Sequence, residues 1–209
     1  GLDTVGVRMP SNVIALSLIQ SLGRPIAAPS ANLFTHLSPT TADHVFKQLG
    51  SKIKIILDGG KTICGVESTI LLIKKNARPV CLRAGGLPIE EIEKIVGKVE
   101  VSKKQSSKVL APGNLKFHYA PRKPLIIVKN EEEISEHFKD SKKKMAFLAF
   151  QKIKNKKIFS DWRILSPSGD LKEAASNFFD FLHQLDESPA EIIFAEKVKE
   201  VGLGRAIME

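Results

Sequence analysis

The chain has 209 residues, 43% of them hydrophobic and 26% charged; that is ordinary globular usage, with length enough for one large or two small domains and a real core. Its two cysteines, Cys64 and Cys81, exclude a disulfide framework and a CxxC metal site, so a reducing, cytoplasmic setting is expected, and no apolar run is long enough to span a bilayer. The net charge of +9 is unevenly placed: residues 98–124 hold seven basic and one acidic side chain, whereas residues 125–209 are nearly balanced, and this excess fits either a polyanion partner or a solvated linker.

In chain order, residues 4–8 alternate as a short strand would. Residues 12–22 place apolar side chains at helical spacing, with Ser11 as the expected N-cap and Gly23 as the stop. Residues 25–28 predict a short buried strand, broken by Pro29-Ser30-Ala31-Asn32. Thr40 or Thr41 can cap a second helix that ends near Gly50, and residues 53–57 predict a strand running into Asp58-Gly59-Gly60. Residues 68–73 and 80–83 predict a hairpin around 74–78; Pro88 opens a helix over 89–96 and Gly97 closes it. Residues 98–124 have the composition of a linker. Then strand 125–128, helix 131–139, strand 145–150, a strand near Ile164, helix 171–185 and strand 192–195 follow, an alternation that argues for a parallel α/β sheet. Residues 202–209 look like the start of another helix, and both ends of the chain read as fragment ends.

Four groups of residues could carry chemistry. Pro29-Ser30-Ala31-Asn32, followed by Ser38-Pro39-Thr40, is a small polar turn after a strand; it can hold a phosphate or carboxylate on N–H and O–H donors, or simply satisfy itself. Asp58-Gly59-Gly60 through Gly65-Val66-Glu67-Ser68-Thr69 is glycine-rich after an apolar run, but Val66 stands where a Walker A loop needs lysine. Cys64 has no activating neighbour and reads as a bystander. Arg8 and Arg83 each end a predicted strand, where α/β folds collect ligand sites, and a guanidinium can clamp an anion at two points. Finally, Ala111-Pro112-Gly113 and His118-Tyr119-Ala120-Pro121 sit inside the basic segment. An aromatic is out of place in a passive tether, so this segment is expected to dock.

Taken together, Thr4-Val5-Gly6-Val7-Arg8-Met9-Pro10, Pro25-Ile26-Ala27-Ala28-Pro29-Ser30-Ala31-Asn32, Ser38-Pro39-Thr40, Asp58-Gly59-Gly60, Gly65-Val66-Glu67-Ser68-Thr69-Ile70, Leu82-Arg83-Ala84-Gly85, and the two motifs of the basic segment resemble, in order and rough spacing, the long form of the L-threonylcarbamoyladenylate synthases. The resemblance covers essentially the whole chain. It implies the second half of a YrdC-like twisted α/β catalytic domain at 1–97, a basic linker or lid at 98–124, and a small Rossmann-like parallel α/β accessory domain at 125–209. It implies a reaction of L-threonine, bicarbonate and ATP, with Mg²⁺ on the triphosphate, for threonylcarbamoyl-adenosine modification of tRNA next to the anticodon. The product would pass to a downstream tRNA threonylcarbamoyl transferase. Arg8, Ala28 and Ser68 would hold threonine. Thr4, Ser30, Ser38, Arg83 and Tyr119 would hold ATP or the adenylate, with Asn32 supporting the Ser30 turn. No side-chain nucleophile and no dedicated metal cage are implied. The sequence departs from the family pattern at Phe34-Thr35-His36, where Ser-Gly is usual, and at Ala84, where proline is usual. The family's Lys-x-Arg motif belongs to the first half of the catalytic domain and lies outside this sequence, so the fragment by itself is expected to be inactive.

Three other readings compete with this one. A non-catalytic RNA-binding module fits the basic charge, though one Trp and one Tyr make poor stacking platforms. A hydrogenase-maturing carbamoyltransferase would carry CxxC pairs, which are absent. A structural remnant would not fold stably. On the catalytic reading the basic segment is expected to close over the site as a lid that places Tyr119 near the nucleotide.

Overall fold

The computed structural model describes residues 3–102, 119–138 and 141–209. Helix α1 (Val13–Leu22) begins at Asn12, whose side-chain oxygen accepts from the Ile14 and Ala15 amides. The cap is therefore Asn12 and not Ser11, one residue later than expected, because only Asn12 reaches the orphan amides of the first turn. Gly23 ends the helix in the left-handed conformation (φ 66°), as expected. Helix α2 (Ala42–Leu49) is capped by the Thr41 hydroxyl and not by Thr40.

The predicted strands at 4–8, 25–28 and 53–57 do not form. Extended backbone becomes a strand only where a neighbour takes up its N–H and C=O groups, and among the described residues no strand lies beside these segments. Their apolar side chains are correspondingly open: Val5, Val7 and Met9 are each more than four-fifths exposed, and no residue of α1 is buried. This is a large apolar surface of the kind that a further segment or partner covers.

The first sheet is small. Strand β1 (Ile70–Leu72) pairs antiparallel with β2 (Val80–Arg83), and a register irregularity between Ile70 and Leu71 sets Arg83 opposite Ile70. Helix α3 (Ile89–Val96) follows, with the predicted bounds, and Gly97 closes it. Strand β3 (Glu100–Val101) then joins β2 in parallel, from beyond the expected boundary at 97. Cys81, Ile89, Ile92 and Val99 form the core beneath.

The second sheet comprises β4 (Leu125–Val128), β5 (Met145–Ala149), β6 (Asp161–Ile164) and β7 (Ile192–Glu196), in the order β4-β7-β5-β6, every pair parallel. Helix α4 (Glu131–Phe138) links β4 to β5, α5 (Leu171–Glu187) links β6 to β7, and α6 (Leu203–Met208) follows. This is the parallel α/β unit expected from the alternating pattern. Period-two alternation sends Ala146 and Leu148 of β5 to the α5 face, with Phe179, Leu182 and Leu185. Phe147 and Ala149 go to the opposite face with Ile134 of α4 and Phe159. Both faces are covered, as parallel sheets require. No helix among the described residues is long and apolar enough to cross a membrane.

Candidate functional site

The expected site residues fall into two groups. Arg8 and Ser68, sixty residues apart, meet on an exposed surface, Arg8 Nη1 donating to Ser68 Oγ at 3.0 Å. Ser68 directly precedes β1 by two residues, and the adjoining Thr69 hydroxyl donates to the Leu87 carbonyl at 2.6 Å, which fixes the start of the strand. The Glu67 carbonyl accepts from the Gly86 amide at 2.8 Å. A Cβ on Gly85 would fall inside the van der Waals envelope of the Ser68–Thr69 backbone, so glycine there lets the two loops close on each other.

Ser38, Arg83 and Tyr119 form the second group. Ser38 and Arg83 are buried. Ser38 Oγ donates to the Glu67 carboxylate, which lies 3.6 Å from Arg83 Nη2. Arg83 Nε and Nη2 both donate to the Ser68 carbonyl, at 3.0 and 2.8 Å, and Nη1 donates to the Tyr119 hydroxyl at 3.1 Å. The two-point grip of the guanidinium is thus made on the Ser68 carbonyl, and it ties the Ser68 loop to Tyr119. Burial, and then the nearby Glu67 charge, push the Tyr119 phenol above its ordinary 10.0.

Thr4, Ala28 and Ser30 are exposed, and among the described residues no side-chain hydrogen bond involves Thr4 or Ser30. Asn32 donates to the Leu33 and His36 carbonyls at 3.0 Å, bracing the turn after it rather than the Ser30 turn before it. In that turn Thr35 is left-handed (φ 71°). Tyr119 is also left-handed (φ 56°). The two strained residues are neighbours, since Ala120 N donates to Thr35 O at 2.9 Å and His36 bridges Ala120. Such strain, of order 1–3 kcal/mol each, persists only where surrounding contacts over-determine it.

The described end of the basic segment does dock. Arg122 Nε meets Asp186 Oδ2 at 2.9 Å, and Lys123 Nζ donates to the Leu185 and Ser188 carbonyls at 3.0 and 2.5 Å. These cations sit at the C-terminal end of α5, where the helix dipole favours them. The remainder of the expected lid, with Ala111-Pro112-Gly113 and His118, lies outside the described residues.

Sequence reasoning missed Glu67 as a partner of Ser38, and it missed what α5 does. Lys61 Nζ meets Asp180 Oδ2 at 2.6 Å, and Lys47 Nζ meets both Glu187 oxygens at 3.0 Å. His183 Nε2 faces the Ser38 carbonyl at 3.0 Å and its ring stacks on His44, with centroids 3.9 Å apart. His44 Nδ1 lies 3.2 Å from the Thr40 hydroxyl. The available signal was weak, because Asp180 and His183 share a polar side of the helix with Ser176 and Glu187 at i, i+4, i+7, i+11 spacing.

Both imidazoles are held below their ordinary 6.5. Burial is the main cause for each; His183 also lowers His44, while Asp180 opposes the shift at both rings. Lys47 and Asp43 act on His44, and Glu187 and Asp186 on His183. Depressed bases are neutral in the fold and charge more readily when unfolded. Their stabilising contribution is whole above about pH 6.5 and is lost as pH falls below it. The expected result is a lower denaturation midpoint at about pH 5.5 than at about pH 7.5, with a shallower pH slope for the His44→Phe/His183→Phe double variant. Equal slopes in urea titrations at the two pH values would remove the pair from the pH response.

A family model described as threonylcarbamoyl-AMP synthase, C-terminal domain, matches residues 87–209. The chain belongs to this family. A second model, described as telomere recombination, matches residues 1–85. The threonylcarbamoyl-AMP synthase of Pyrococcus abyssi is 41% identical over 221 residues, spanning 100% of this chain and 63% of the relative. That of Bacillus subtilis is 37% identical over 215 residues, spanning 100% of this chain and 62% of the relative. The crystal structure of P. abyssi Sua5 complexed with L-threonine superposes with a TM-score of 0.87 at 40% identity, over 100% of this chain and 63% of that one. The chain thus spans less than two thirds of the length of these threonylcarbamoyl-AMP synthases. The mixed α/β fold with its parallel four-stranded sheet matches that of the P. abyssi protein.

Proposed function

We propose that this chain forms the larger part of an enzyme that makes L-threonylcarbamoyladenylate from L-threonine, bicarbonate and ATP and releases pyrophosphate, in service of tRNA modification. In that reaction the threonine amine and bicarbonate give a carbamate and water. A carbamate oxygen then bonds to the α-phosphorus of ATP as the bond to the β-phosphate bridge breaks. Such chemistry needs no protein nucleophile; it needs charge and donors that position anions. The observation that carries the reading is the exposed Arg8–Ser68 pair, a guanidinium and a hydroxyl 3.0 Å apart. Such a pair suits an amino-acid carboxylate, and a relative of similar fold binds L-threonine.

In this reading Arg8, Ala28 and Ser68 serve threonine, and Thr4, Ser30, Asn32, Ser38, Arg83 and Tyr119 serve ATP. Among the described residues the enclosed Asn32 Oδ1 has no hydrogen-bond partner. Mg²⁺ would ride on the triphosphate, which suits a cation that keeps its waters. The apolar surface around Val5, Val7, Met9 and α1 would be covered by a segment preceding Gly1, which would bring the Lys-x-Arg half of the site. The fragment alone would then be inactive, and the adenylate would pass to a tRNA threonylcarbamoyl transferase in the cytoplasm.

The full-length protein is expected to release pyrophosphate only when ATP, threonine and bicarbonate are all present. Ser68→Ala is expected to raise the threonine KM by roughly 10–100-fold, since a hydrogen bond to a charged group contributes about 1.5–3 kcal/mol. The ATP KM should change by less than about threefold. An unchanged threonine KM with a weakened ATP KM would reverse the assignment.

A further inference from the structure

Ser38, Glu67, Arg83 and Tyr119 form one polar chain, and both of its ends touch the same helix. At one end His183 Nε2 reaches the Ser38 carbonyl at 3.0 Å. At the other, the Phe179 ring meets the Tyr119 ring edge-on, with centroids 6.0 Å apart. Phe179 and His183 stand four residues apart on α5 and so share a face of the helix. Ser38, Glu67 and Arg83 lie in the part matched by the first-half model, whereas Phe179 and His183 lie in the part matched as the C-terminal domain.

We infer that α5 is the accessory unit's contribution to the site: His183 and Phe179 are positioning residues that hold Ser38 and Tyr119 at the two ends of this polar chain. The inference rests on the proposed function for what the chain does, and on geometry alone for how it is held.

A carbonyl has no proton to give, so His183 Nε2 carries the hydrogen in this contact. Ser38 is then gripped twice, by its carbonyl from α5 and by its hydroxyl from Glu67, which leaves neither its backbone nor its χ1 free. The His183 plane is set by the His44 ring stacked on it at 25°. Tyr119 is gripped three ways: Arg83 at its hydroxyl, Phe179 at its ring, and the Ala120–Thr35 hydrogen bond next along the chain. That grip explains how a left-handed tyrosine is retained. Gly65 brings the two parts together, because any Cβ there would collide with the Ala175 and Ser176 carbonyl oxygens of α5. An ordinary packing seam would need apolar contact, but it would not need one helix face to reach both ends of one polar chain.

Two measurements test this. The chain has one tyrosine, so its phenolate absorbance titration reports Tyr119 alone. Phe179→Ala, which opens the Tyr119 ring to water, is expected to lower the titration midpoint toward the ordinary value of 10.0; an unmoved midpoint in a folded variant overturns the Phe179 half. In the full-length enzyme, His183→Ala is expected to raise the ATP KM about tenfold, with the threonine KM within about twofold. His183→Gln keeps an amide donor and is expected to recover most of the loss. If both KM values rise together, or if Gln behaves as Ala in protein of native circular dichroism, His183 only stabilises the seam and the inference falls. If the wild-type enzyme releases no pyrophosphate from ATP and threonine, the proposed function fails, and the tyrosine titration alone decides whether α5 sets the chain.

Discussion

In the full-length protein, Arg83→Lys is expected to lower adenylate formation by about a hundredfold and to destabilise the fold by roughly 1–3 kcal/mol. Arg83 is 7% exposed, and its guanidinium serves three groups at once: the Ser68 carbonyl through two donors, the Tyr119 hydroxyl through a third, and the Glu67 carboxylate at 3.6 Å. A lysine ammonium is a single point on a flexible stem. It can replace the charge toward Glu67 or the bond to Ser68, but its geometry cannot reproduce the fork. One buried acceptor is then left short, and Tyr119 loses the contact that holds its hydroxyl. Glu67 is partly solvated, with a side chain 24% exposed, so the full cost of breaking a buried ion pair does not apply. The rate effect should exceed the stability effect, because two site loops lose their common tie. Pyrophosphate-release kinetics and a urea titration on the same preparation separate the two. Wild-type pyrophosphate release by the lysine variant would remove Arg83 from the site.

Elements whose signals are local were legible in the sequence. Helix α3 runs between Pro88 and Gly97, and β2 and β4 carry their predicted bounds. The parallel sheet followed from the alternation of apolar strands and helices. The predicted strands at 4–8, 25–28 and 53–57 failed because an apolar run records burial and not which neighbour will pair with it. β3 was missed for the converse reason: two residues of unremarkable composition become a strand only because β2 takes up their hydrogen bonds. For the site, spacing could not bring Arg8 to Ser68 across sixty residues; the resemblance assigned both to threonine, and the structure places them 3.0 Å apart. Glu67 was read as part of a motif without a partner. α5 was legible only as a helix over 171–185, and nothing local to Asp180 or His183 names the distant groups they meet. Two of the basic charges in the linker proved to be engaged at the end of α5, by Asp186 and the last carbonyls, which favours docking over a freely solvated tether for that end.

Gly65→Ala is expected to cost about 3 kcal/mol or more, the upper range for overpacking a tight contact. Gly65 is buried, and the atoms that a methyl group would meet are the Ala175 and Ser176 backbone oxygens. A side chain could rotate away; a helix carbonyl cannot move without bending α5 or lifting the loop that carries Val66, Glu67 and Ser68. Lifting the loop is the cheaper path, and it draws Glu67 from Ser38 and loosens the Lys61–Asp180 and His183–Ser38 contacts together. The predicted signature is therefore a joint failure: a lower unfolding midpoint together with a higher ATP KM in the full-length protein. In this 209-residue chain Gly6→Ala supplies the control for stability, since among the described residues nothing lies within 4 Å of the Gly6 Cβ position and its φ is not positive. That variant should stay within about 0.5 kcal/mol of wild type. If Gly65→Ala is as stable as Gly6→Ala, α5 does not press on the loop in solution, and the route by which the accessory unit holds Ser38 is lost with it.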